Sequence, residues 1–71
     1  MAGEAYGAPI ERGQVVAKTG EGLRIASYDR SGVITPPLPM MAGAEAETGE
    51  RVYFFMFDDG RGMVIARMTE G

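Results

Sequence analysis

The feature that most constrains this chain lies at residues 50–68, where two β-rich runs, Val52-Tyr53-Phe54-Phe55-Met56-Phe57 and Met63-Val64-Ile65-Ala66-Arg67, flank Asp58-Asp59-Gly60-Arg61-Gly62. Aromatic and β-branched residues suit a pleated, half-buried surface, and Asp-Gly supplies the positive φ that a tight turn demands, so the spacing predicts a β-hairpin. Side chains alternate along a strand, which places Val52, Phe54 and Met56 on one face and Tyr53, Phe55 and Phe57 on the other. Both rows are apolar. One small sheet has a single inside, so one row belongs to the core and the other needs a different cover. We expect Val52, Phe54 and Met56 to point inward. The outward row is then covered either by residues 1–9 or the proline segment, or by another chain.

The rest of the chain reads as further short strands. Residues 10–18 and 23–29 flank Thr19-Gly20-Glu21-Gly22, a Gly-containing hairpin signal, and Leu23-Arg24-Ile25 alternates between faces. A turn cluster, Asp29-Arg30-Ser31-Gly32, precedes a short strand at residues 33–35, which Pro36 should stop because proline cannot donate to a ladder. Pro36-Pro37-Leu38-Pro39 should be extended and polyproline-like. Residues 40–49 should form a loop with at most one helical turn through Ala44-Glu45-Ala46-Glu47. Residues 1–9 have two Gly, a Pro and no apolar period, which predicts an N-terminal arm with Tyr6 as its anchor. Five short strands and almost no helix predict an all-β fold, a small closed or nearly closed OB-like or SH3-like barrel over residues 10–71. No internal repeat or linker divides it.

Composition narrows the function. At 71 residues the chain holds one domain, and with no Cys and no His it has no disulfide, no Cys/His zinc site and no thiol or imidazole chemistry. Ser27, Ser31 and Lys18 cannot assemble a triad-like set, so no enzymatic activity, cofactor or metal is expected. Asp58 and Asp59 read as turn residues rather than as a cation or acid/base pair. The net charge of -3 has the wrong sign for tracking phosphates, and no basic residue interrupts Tyr53 to Phe57, which counts against nucleic acid as a partner. No apolar run is long enough to span a membrane, and the first residues show neither a signal-peptide nor a myristoylation pattern, so synthesis in the cytoplasm is expected. A core this small commonly needs reinforcement by a partner or by self-association. The expected interface residues are Tyr53, Phe55, Phe57, Pro36, Pro37, Leu38, Pro39 and Tyr6. For the proline segment, packing as a connection outweighs use as a ligand for an aromatic groove, a pattern that four residues match often by chance.

Two stretches carry a resemblance. Gly13-Gln14-Val15-Val16 leads to Leu23-Arg24-Ile25, and Thr48-Gly49-Glu50-Arg51-Val52 leads to Gly62-Met63-Val64-Ile65-Ala66-Arg67. The pattern, over residues 12–68, resembles small OB-fold proteins encoded in tail and baseplate regions of bacteriophages, prophages and contractile injection systems. Glu50 stands where Asp is more usual in that family. The resemblance implies a non-enzymatic structural piece near the tail hub or spike, assembled as symmetric copies with other tail or baseplate proteins and located in the virion or a tail-like particle. The alternative is a nucleic-acid-binding OB module.

Overall fold

The computed structural model describes residues 9–68. They form a four-stranded antiparallel open sheet with almost no helix, built from β1 (Glu11–Thr19), β2 (Gly22–Ser27), β3 (Arg51–Met56) and β4 (Gly62–Arg67) in the spatial order β2-β1-β3-β4. Two hairpins supply the outer pairs. Between them, β1 and β3 pair from Glu11↔Phe54 to Gln14↔Arg51. No helix among the described residues is long and apolar enough to cross a membrane.

The inward row follows the period of two. Val15, Leu23, Ile25, Val52, Phe54, Met56 and Val64 form the core with Leu38 and Ala46, and Phe54 is its largest fully buried side chain. The register slips once in each hairpin, at Val16 against β2 and at Ile65 against β3, so that an extra residue bends each ladder and aids the coiling of the sheet. Three glycines are sterically obligatory, Gly13 because a Cβ there would strike the Ala26 carbonyl oxygen and the Ile25 side chain. Gly22 has φ +143°, and a Cβ there would strike the Leu38 carbonyl; at Gly62 a Cβ would run into the carbonyl oxygen of Phe55.

Residues 28–50 depart most from expectation. The turn cluster is a 3-10 turn, Tyr28–Arg30, closed by Ser31 at φ 57° and Gly32 at φ 82°. The short strand at residues 33–35 is not a strand, and no helical turn forms at residues 44–47, where Gly43 and Gly49 take positive φ on either side. The chain nevertheless runs back antiparallel along β2: Ser27 N donates to Val33 O at 3.0 Å, Thr35 N to Ile25 O at 2.9 Å, and Leu23 and Leu38 exchange both bonds at 2.9 Å. It then reaches the opposite edge, where Val64 N donates to Pro39 O and Met41 N to Val64 O, each at 2.8 Å.

Proline explains why this run makes isolated bridges instead of a ladder. Pro36, Pro37 and Pro39 have no N–H to donate. Thr35 compensates in part: its backbone N–H bonds the Ile25 carbonyl while its Oγ1 accepts the Ile25 N–H at 3.1 Å and donates to Pro36 O at 2.7 Å. One buried residue thus satisfies both backbone groups of Ile25 on that side.

Candidate docking surface

The outward row of β3 is the candidate site. Val52, Phe54 and Met56 fill the core face, while Tyr53 is 40% and Phe57 41% exposed and Phe55 is half-buried between them. The rings of Phe55 and Phe57 meet edge to face, with centroids 5.6 Å apart at 69°, an arrangement in which the positive edge of one ring meets the negative face of the other. Cross-strand partners extend the patch: Met63 lies opposite Phe55, and Ala66 opposite Tyr53. Three aromatics and a methionine thus lie together on one half-covered face.

Arginines frame one end of this row. Arg12 of β1 lies directly opposite Tyr53, and Arg51, exposed, precedes Tyr53 by two positions on the same side of β3. Arg12 is held in place by Asp29, whose carboxylate accepts the Arg12 backbone N–H at 2.9 Å and approaches the guanidinium at 3.3 Å. The Arg12 backbone N–H is the main reason the Asp29 pKa falls below the ordinary aspartate range. Behind this corner Glu11 is buried: its carboxylate takes two bonds from Arg30 Nε and one at 2.7 Å from Arg30 Nη2, and accepts the Ser27 hydroxyl at 2.9 Å. Hydrogen bonding to Arg30 outweighs the opposing effect of burial and holds Glu11 below the usual glutamate range. These ion pairs fasten the 3-10 turn to the start of β1 and thereby fix the Arg12 end of the patch.

The opposite end is acidic. Phe57 runs into the hairpin tip, where Asp58 and Asp59 are exposed and Asp59 Oδ1 accepts the Arg61 N–H at 2.9 Å. Pro36 lies against the tip, 3.5 Å from where a Cβ on Gly60 would stand. Pro36 and Pro39 are exposed and Pro37 is half-buried. Leu38, expected at the interface, is instead in the core at 1% exposure, because its reciprocal bonds with Leu23 turn the side chain inward. Tyr6 lies outside the described residues.

Cross-strand register supplies what the sequence did not reveal: Arg12 is 41 positions from Tyr53 in sequence (53 less 12), and only the β1–β3 pairing makes them neighbours. Elsewhere a shallow groove of about 420 Å³, lined by residues 42–45 and 65–67, has Glu45 and Arg67 as its charged members. Among the described residues no group of three or more His, Cys, Asp or Glu side chains is placed to hold a metal ion. Neither a protein-family model nor a curated protein matches the chain.

Proposed function

We propose that this chain is a non-enzymatic assembly module that docks through the outward face of β3. The observation that carries the reading is the unequal use of that strand: its inner row is saturated by core contacts, and its outer row leaves Tyr53 and Phe57 about two-fifths exposed. In this reading residues 33–41, bonded to β2 on one side and β4 on the other, close the sheet into a barrel of the five-stranded OB-like or SH3-like kind. The spacing resemblance at residues 12–68 supports a place among structural components of a phage tail, baseplate or tail-like particle, with other tail proteins and further copies of the chain as partners. Tyr53→Asp and Phe57→Asp should give folded protein that no longer assembles, as read by circular dichroism together with sedimentation at tens of micromolar. Unfolding of both variants, or unchanged association, would remove the reading.

Arg12 and Arg51 beside Tyr53 favour one alternative, a stacking platform for single-stranded nucleic acid. The net charge of -3 and the Asp29 carboxylate on Arg12 weigh against it. Titration with single-stranded DNA and RNA separates the two, since phosphate contacts give an affinity that falls steeply with salt. Micromolar, strongly salt-dependent binding would establish the alternative.

A further inference from the structure

We propose that the occupant of the aromatic face is a second copy of this chain, related by a two-fold axis, with the proline ridge and acidic hairpin tip of each copy seated on the Tyr53 end of the other. The proposal rests on the docking reading above and names its partner. Its first support is the exposure pattern of Pro36-Pro37-Leu38-Pro39. Prolines three apart return to the same side of a three-residue polyproline turn, and here Pro36 and Pro39 are both exposed while Leu38 is anchored in the core. The segment is therefore a preordered ridge. Proline ridges with little conformational freedom left to lose are the shape that exposed aromatic surfaces bind, and this chain presents such a surface itself.

The second support is charge. Along β3, six residues or roughly 20 Å long, the patch runs from an end where Arg51 adds a positive charge beyond the Arg12–Asp29 pair around Tyr53, to an end beyond Phe57 where Asp58 adds a negative charge beside Asp59, itself paired with Arg61 at 3.7 Å. Pro36 stands at the anionic end, against Gly60. A strip with opposite charges at its ends is complementary to itself when turned through 180°, which is the condition for an isologous interface. Two antiparallel copies bring each Asp58 toward the partner's Arg51, each Pro36 toward the partner's Tyr53, and Phe55 toward the middle of the contact. The charges set the register, and the aromatic and proline surfaces supply the buried area.

Mixing of complementary variants tests this. Ridge-end variant Pro36→Ser with Asp58→Arg and stripe-end variant Tyr53→Ser with Arg51→Glu are compared with the unaltered chain by sedimentation velocity, with circular dichroism confirming that each is folded. The unaltered chain should be dimeric at tens of micromolar and should weaken as salt rises. Each variant alone should dimerise at least tenfold more weakly. An equimolar mixture should recover a heterodimer, because it restores one native contact and, at the other, sets Asp58→Arg of one variant against Arg51→Glu of its partner, so that opposite charges meet again with their signs exchanged. If only the stripe-end variant loses association, the docking face survives and the ridge is excluded. If both variants associate like the unaltered chain, both the inference and the docking reading fall. An unaltered chain that stays monomeric at tens of micromolar would overturn the dimer. Should Pro36→Ser disturb folding, Asp58→Arg against Arg51→Glu makes the same comparison without touching the proline.

Discussion

Thr35 offers the sharpest quantitative test of how the segment after β2 is attached to the sheet. Thr35→Val keeps the shape and the backbone N–H but removes the hydroxyl that accepts the Ile25 N–H at 3.1 Å and donates to Pro36 O at 2.7 Å. Pro36 is exposed, so its carbonyl can turn to water at little cost. Ile25 is wholly buried, and its amide would be left without a partner. A buried unsatisfied donor costs about 1–3 kcal/mol. A chain of this length holds roughly 4–10 kcal/mol in total, so one missing oxygen atom would remove a sizeable share. At about 4–8 °C of Tm per kcal/mol in a domain this small, a loss of about 2 kcal/mol lowers Tm by roughly 8–16 °C. Thr35→Ser, which retains the oxygen, should lose distinctly less. Thermal unfolding by circular dichroism gives the Tm values, and amide exchange at Ile25 locates the cause. An unchanged Tm for Thr35→Val with the Ile25 amide still protected would refute the role of the hydroxyl.

Phe54→Ala should cost about 3–5 kcal/mol in urea unfolding, since Phe54 is the largest fully buried side chain; a cost below about 1 kcal/mol would mean that the core face of β3 is wrongly assigned. Gly22→Ala should destabilise by about 2 kcal/mol or more, because its φ of +143° disfavours a side chain and the added Cβ would strike the Leu38 carbonyl; a neutral result in the same assay would show that residues 36–39 can shift away. Acid should destabilise the fold. Glu11 and Asp29 both have folded-state pKa values below their ordinary ones, so the unfolded chain binds more protons between the two values. Their stabilisation is complete above the ordinary carboxylate range and is lost as pH falls through the lowered folded-state values. Tm measured from pH 7 down to pH 2 should therefore drop on the acid side, and a flat profile would count against both ion pairs.

The hairpins were legible in sequence because their information is local. Asp59-Gly60 and Gly20-Glu21-Gly22 mark the turns, and alternation within each run separates Phe54 from Tyr53 and Phe55 without knowledge of the rest of the chain. Residues 33–41 were less legible. Their extended course followed from Pro36, Pro37 and Pro39, but that course alone does not say which edge receives which backbone group. The use of Thr35 Oγ1 in place of a ladder group, the inward anchoring of Leu38 and the second attachment at Val64 depend on where β2 and β4 stand. One charged neighbour of the outward row was hidden for a similar reason. Arg12 follows Glu11 in sequence, and its position beside Tyr53 is a property of pairing between distant segments.

The central β1–β3 pairing also has a kinetic consequence. Glu11 and Phe54 lie about 40 residues apart in sequence, and the entropy of closing so long a loop must be overcome before the contact stabilises anything. Each hairpin can nucleate within microseconds on its own local turn, but a lone two-stranded ribbon is marginal in water. The rate-limiting step is therefore the meeting of the two ribbons along β1 and β3, with folding expected in about milliseconds to seconds, as for other sheets dominated by non-local pairs. Until that meeting the inner row Val52, Phe54, Met56 is as open to other chains as the outer row. Crowded synthesis at high temperature would then lead to misassociation from the unjoined ribbons, well before the finished fold lost its stability.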